Sequence, residues 1–212
     1  MTLADYNHII QTAMKKRRLS FILLIFVIVA GCSKSDDDSG NNDQTQQSKL
    51  GDVGNEWKAM FNNQEITARV VGSNNGILSL AVTMGKATDT VKMQLTGNSI
   101  REFIHSDGDI SKPFTMVEFD AEVGDVYTFE HMGYSFNREV IEKEIYHIDC
   151  LNANLATIGV YEEIPYGINV QLFGYTIRSI CWYFHPTYGL VCVEVYTEQG
   201  EYFEIEFISI KL

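Results

Sequence analysis

Leu-Val-Cys-Val-Glu-Val-Tyr-Thr at 190–197, Glu-Gln-Gly-Glu at 198–201 and Tyr-Phe-Glu-Ile-Glu-Phe-Ile-Ser-Ile at 202–210 decide the fold. Val191, Val193 and Val195 form one apolar face of the first run; Phe203, Ile205 and Phe207 form the matching face of the second. A three-residue loop, Glu198 to Gly200, pairs Thr197 with Glu201. It then sets Val195 opposite Phe203 and Val193 opposite Ile205. A two-residue loop sets Val193 opposite Glu206 and mixes the faces, which a pleat of period two forbids. Gly200 supplies the left-handed residue that a three-residue hairpin loop needs.

The same arithmetic extends upstream. If His185-Pro186-Thr187-Tyr188 connects Phe184 to Gly189, Trp182 faces Val191 and Ile180 faces Val193. Cys181 then faces Cys192 on the opposite side of the sheet. Further β-branched and aromatic runs recur at Glu65–Val71, Ile77–Met84, Val91–Thr96, Thr115–Phe119, Val126–Glu130 and Asn169–Phe173, separated by Gly, Asn and Asp. Only Arg138–Ile148 could be a helix or a long edge strand. The expected fold is all-β: a strongly curved antiparallel meander, half-barrel or sandwich-like, with at most one short helix. Val53-Gly54-Asn55-Glu56-Trp57 and Val123-Gly124-Asp125-Val126-Tyr127 match at a spacing of 70, as do Val70-Val71 and Val140-Ile141. The single β-rich domain over 50–212 is therefore read either as one unit or as two related halves.

Composition limits the function. With 45% apolar and 12% aromatic residues, the chain is not disordered over most of its length. A net charge of −12 argues against nucleic acid as a partner, because phosphate contacts need cations. The cations are also concentrated at the front. Lys15, Lys16, Arg17 and Arg18 precede an apolar run, Leu19 to Ala30, broken only by Ser20. That run rises about 18 Å as a helix, short of a hydrocarbon core of roughly 30 Å, so residues 1–31 read as a signal peptide. Met14 is taken as the true start, since Asp5 and His8 ahead of it serve no export role.

Val29-Ala30-Gly31-Cys32 resembles the lipobox of bacterial lipoproteins. The resemblance implies that Cys32 becomes the first mature residue, carries a diacylglyceryl group on sulfur, and is acylated (for instance by palmitate) on its amine. Several acyl chains anchor stably where one alone is marginal. Ser33 to Lys49 contains no apolar residue and reads as a disordered tether over 32–49, reaching at most about 60 Å. Ser33 after the cysteine, and the acidic run Asp36-Asp37-Asp38, resemble outer-membrane sorting and surface-export signals of Bacteroidetes-type lipoproteins. They imply an outer-membrane location, surface-exposed rather than periplasm-facing. Gly124-Asp125-Val126-Tyr127 looks like the GDxW/Y strand start of small uncharacterised lipoproteins of that type. The finish, Trp182-Tyr183-Phe184, a turn, Gly189-Leu190-Val191 and a last strand, is similar to theirs. That resemblance implies a curved antiparallel sheet and no active site.

Candidate chemistry is sparse. Cys181 and Cys192 are either a disulfide or two adjacent thiols, and Cys150 is left over. His147, Asp149 and Cys150 lack a second ligand pair or a triad partner; His105 and His131 read as isolated and solvated. Glu194, Glu204 and Glu206 share the non-core face, with Glu194 opposite Glu204. Like charges so placed repel, and either solvation or a weakly held cation relieves them. No catalytic residue, metal site or cofactor is otherwise expected. Tyr183, Tyr196 and Tyr202 fall on that face as candidate binding aromatics, or simply as cross-strand pairs. The reading is a lipid-anchored, non-catalytic binding or interaction module for a protein, glycan or amphiphile. Two alternatives stay open: a half-barrel carrier of an amphiphile or lipid, and an enzyme with an unfamiliar site. Mass spectrometry of the unprocessed precursor should find Met14 at its N-terminus; a peptide containing Ala4 or Tyr6 contradicts that start.

Overall fold

In a computed structural model, the residues described are 49–212 without Asp107 and Phe173, and without the side chains of Lys49, Leu172 and Glu206. The expected leader, Cys32 and the tether through residue 48 lie outside the described residues. Alternating apolar runs and Gly/Asn turns produce strands throughout: β1 (Glu56–Phe61), β2 (Gln64–Asn74), β3 (Ile77–Met84), β4 (Ala87–Leu95), β5 (Ser99–Glu102) and β6 (Phe114–Glu118). The second series is β7 (Val126–His131), β8 (Tyr134–Ile148), β9 (Ala153–Glu163), the short β10 (Gln171–Leu172), β11 (Tyr175–His185), β12 (Gly189–Thr197) and β13 (Tyr202–Lys211). Among the described residues the only helical pieces are two 3-10 turns, Lys49–Gly51 and Asp149–Leu151. The ambiguous Arg138–Ile148 segment is strand, paired with β7 at its start and with β9 along its length. Glu56–Phe61, Ser99–Glu102 and Ala153–Glu163 are strands that the sequence pattern does not mark.

The hydrogen-bonded order is β6-β5-β4-β3-β2-β1-β13-β12-β11-β9-β8-β7, antiparallel throughout, with β10 beside β11. The fold is thus all-β, in two antiparallel sheets, one of them curled into a half-barrel. Strand β13 joins the sheets: Tyr202–Ile205 pair with β12, and Glu206–Lys211 pair with β1. One core lies between the sheets. Trp57, Leu80 and Val82 from the first series meet Val160, Trp182 and Phe184 from the second, all nearly excluded from solvent. That concave space is filled with packed side chains.

Each series is a six-stranded meander, and details recur 70 residues apart. Gly54 N–H donates to Val70 O at 2.9 Å, and Gly124 N–H to Val140 O at 2.8 Å. Val70 N–H donates to Asn55 O and Val140 N–H to Asp125 O, both at 2.9 Å. Glu56 pairs with Arg69 and Trp57 with Ala68; Val126 pairs with Glu139 and Tyr127 with Arg138. A β-bulge follows Val70 in β2 and Val140 in β8.

The last hairpin has the register read from sequence: Val193 opposite Ile205, Glu194 opposite Glu204, Val195 opposite Phe203 and Tyr196 opposite Tyr202. Gly200 has φ 83°, and Thr197 N–H donates to Glu201 O. The preceding hairpin differs from expectation. His185 pairs with Gly189 and Phe184 with Leu190, then a bulge at Val191 moves the register. Trp182 therefore faces Val193, Ile180 faces Val195, Cys181 faces Glu194 and Tyr183 faces Cys192. The total shift is two residues, so core still meets core while each partner changes.

β1 and β13 are laddered together, but β6 and β7, at the two ends of the order, are not. Directly between them Glu118 N–H donates to Tyr127 OH at 3.2 Å and the Phe114 and Phe129 rings lie 4.8 Å apart, and behind them a buried polar cluster ties β5 and β6 to β8 and β9. Arg138 donates from Nε to Glu162 at 2.6 Å, from Nη2 to Glu102 at 3.1 Å, and from Nη1 to the Thr115 carbonyl of β6 at 2.9 Å. Its guanidinium lies 4.5 Å from the Phe129 ring centre. His105 Nδ1 is 2.5 Å from Glu102, and the other Glu102 oxygen accepts from the amides of Ile104 and His105. His105 is thus buried and bonded, and the His131 ring packs 5.0 Å from it, so neither histidine is isolated as expected. Burial pushes the Glu102 carboxyl up. His105 and the Arg138 charge outweigh that and hold it at about 2, against an ordinary 4.5. A carboxyl lowered on folding stabilises fully above its unfolded pKa and loses that contribution as pH falls toward the folded one. Urea midpoints should therefore drop between pH 4.5 and about 2, and Glu102→Gln should flatten that part of the profile. At neutral pH the same substitution should cost roughly 3–5 kcal/mol, as for other broken buried pairs. An unchanged acid limb in the variant contradicts the assignment.

Candidate binding face on the second half

The curled sheet turns a second face outward, across β8, β9, β11, β12 and β13. Its floor is a small apolar cluster of Ile148, Leu155, Cys181, Tyr183, Val191 and Cys192. Above it lies a groove of about 660 Å³, lined by Glu142, Tyr146, Tyr161, Arg178, Glu194 and Tyr196 among others.

Glu194 organises this face. Its Oε2 accepts from Tyr196 OH at 2.8 Å and from Tyr183 OH at 3.2 Å, and its Oε1 accepts from Tyr202 OH at 3.0 Å. Tyr202 OH also lies 3.4 Å from Glu204, whose other oxygen is 3.6 Å from Cys192 Sγ. The opposed carboxylates expected from the sequence are present, and phenol and thiol hydrogens offset their repulsion. Among the described residues no group of three or more acidic, His or Cys side chains is placed to hold a metal ion; the expected cation candidate of Glu194, Glu204 and Glu206 falls partly outside them. The Glu206 side chain lies outside the described residues, and its backbone pairs with Met60 of β1.

Of the three expected tyrosines, Tyr196 and Tyr202 are partly exposed, their rings 5.3 Å apart and tilted by 53° to each other. Tyr183 is buried, packed 4.6 Å from Tyr146 and within the apolar cluster of Cys181, Val191 and Cys192. Burial drives the Tyr183, Tyr196 and Tyr202 hydroxyls above the usual phenol range, and the Glu194 charge adds to this at Tyr196 and Tyr202. Burial pushes the Cys181 thiol up to about 12 and raises Cys192 too, with help from Glu204. No disulfide joins Cys181 and Cys192: the bulge at Val191 makes them diagonal rather than opposed, and both are free, as is Cys150.

Bulges also place the charged residues that period-two alternation misses. The bulge after Val140 turns Glu142 outward, opposite Gly159, which in turn faces Tyr183 across β11. A Cβ on Gly159 would come 2.8 Å from Glu142 Cγ and 3.2 Å from Tyr183 Cε1, so the glycine is the hollow in which Glu142 lies. The bulge between Ile177 and Ser179 carries Arg178, whose exposed side chain makes no ion pair among the described residues. Bulges are a recurrent means of re-aiming side chains next to sites. The first half has Gly72 opposite Ser79 where the second has Glu142 opposite Gly159. The carboxylate is thus an addition to a shared framework. His147 and Asp149 lie away from the groove, exposed and 3.4 Å apart.

No family model, curated protein or solved structure matches the chain.

Gly159→Ala should lower stability by about 1–3 kcal/mol, the range for overpacking a filled site; an unchanged urea midpoint contradicts the close approach. Denatured without reductant, a chain of residues 33–212 should titrate three thiols. The native protein should react fastest at Cys150, because Cys181 and Cys192 are buried and held protonated. A count of one thiol contradicts the free pair.

Proposed function

We propose that the chain is a bacterial lipoprotein, anchored through acylated Cys32 in the outer membrane and displayed at the surface, whose folded part is a non-catalytic binding module. The observation that carries the binding role is the Glu194–tyrosine network and the open groove beside it. Three hydroxyls fix one carboxylate, two bulges aim Glu142 and Arg178 at the same space, and aromatic rings remain accessible at its rim. Sites of this kind hold a ligand by a few fixed polar groups and apolar ring faces. The chemistry favours holding over proton transfer. The phenols and thiols of the face are all driven upward, away from neutrality, where a general acid or base works best.

Anchoring is tested by metabolic labelling with an alkyne fatty acid: the wild type should carry the label and sediment with membranes, and Cys32→Ala should do neither. Label retained in Cys32→Ala overturns the anchor. Protease treatment of intact cells should degrade the displayed domain; full protection overturns surface exposure. For binding, thermal melts against a panel of oligosaccharides, amines and peptides should find a ligand that raises the Tm of the wild type. That ligand should not raise the Tm of Tyr196→Ala/Tyr202→Ala. Equal stabilisation of both proteins places binding elsewhere.

A further inference from the structure

The groove adjoins a second hollow of about 590 Å³ lined by Glu139, Glu163 and Glu198, and Tyr161 and Arg178 border both. Glu142, Glu194 and Glu201 line the first hollow. Six carboxylates therefore line these two adjoining hollows, taken together as one trough, with the Arg178 guanidinium between them. The phenol hydrogens point inward: those of Tyr183, Tyr196 and Tyr202 go to Glu194, and that of Tyr146 goes to Glu142 at 3.5 Å. What these phenols offer a ligand is oxygen lone pairs and ring faces. A trough that is negative, rich in acceptors and bordered by aromatics suits a donor-rich cation. Carboxylates attract ammonium groups, and tyrosine rings accept both the cation and its methylenes. Its length across two hollows suits an extended chain with charges at intervals.

We propose that this trough binds a linear organic polyammonium, a small polyamine. The proposal rests on reading this face as a binding site and adds the ligand's chemistry. Ammonium groups sit at Glu142 and Glu194 in the first hollow and at Glu139 or Glu163 in the second, with the intervening methylenes against Tyr161 and Tyr196. Arg178 is then an opposing charge that limits affinity.

The test is calorimetric titration of the detergent-solubilised mature lipoprotein with spermidine, with cellohexaose as a neutral probe and magnesium chloride as a competing inorganic cation. Spermidine should bind saturably and weaken as salt rises. Glu142→Gln, which is isosteric and whose folding is checked by its urea midpoint, should weaken it at least tenfold. Glu118→Gln on β6 should leave it unchanged. Arg178→Met should tighten it several-fold, a gain that a merely damaged fold cannot produce. The proposal is overturned by no saturable spermidine binding, by insensitivity to Glu142→Gln, by weaker binding in Arg178→Met, or by displacement with equimolar magnesium. Cellohexaose binding that depends on Tyr196, with no spermidine binding, overturns the ammonium ligand and keeps the binding face. Spermidine binding lost equally in Glu118→Gln, with no Tyr196-dependent probe, counts against both.

Discussion

Arg138 is the group on which the closed form of the molecule depends. Two six-stranded meanders share one hydrogen-bonded junction, β1 with β13, and meet again at β6 and β7 without a ladder. At that second meeting Arg138 reaches Glu162 on its own sheet, Glu102 on the other, and the Thr115 carbonyl of β6. A fully buried cation is tolerable only if its donors are taken up by fixed acceptors. The first half shows what the same position holds where no such bridge is made. Ala68 stands opposite Val82 there, in the place that Arg138 and Glu162 take in the second half. An apolar pair is cheaper to bury, so the ionic pair is the specialised variant of the two. Among the described residues, one Glu162 oxygen and the Trp182 indole nitrogen are buried without a hydrogen-bond partner, which marks the same region as tightly enclosed.

The same contrast between halves separates framework from function. Turn hydrogen bonds, strand pairings and the β2 and β8 bulges recur with a 70-residue offset, so they belong to the fold. The outward carboxylate at 142 and the glycine hollow at 159 have no counterpart at 72 and 79. They are built onto a bulge that the fold already supplies. The tyrosines then convert a repulsive pair of glutamates into a fixed, negatively charged face.

The sequence exposes whatever depends on local alternation. The β12–β13 register, the Gly200 turn, the opposition of Glu194 and Glu204, and the outward faces of Tyr196 and Tyr202 all follow from period-two arithmetic over an uninterrupted hairpin. That arithmetic fails at bulges, since one extra residue leaves the composition unchanged and reverses every later face. The bulge at Val191 hides the true neighbours of Cys181 and Cys192. Those at 140–142 and 177–179 hide Glu142 and Arg178. Long-range pairing hides the rest: His105 reads as solvated because Arg138, which meets both it and Glu102, lies more than thirty residues away. Alternation puts Tyr183 on the correct face, but Tyr146, thirty-seven residues upstream on β8, packs over it, and that pairing is not visible in local alternation.

The ionic cluster that ties β5 and β6 to β8 and β9, and not a strand ladder, dominates the closure of the two halves at β6 and β7. Native-state hydrogen exchange of Arg138→Met/Glu102→Gln/Glu162→Gln, which removes the guanidinium and both its carboxylate partners together, tests it most directly. Amides of Phe114–Glu118 and Val126–His131 should lose protection together, while those at the β1–β13 junction keep theirs. Unchanged protection at β6 and β7, or a loss spread evenly over both junctions, contradicts the account.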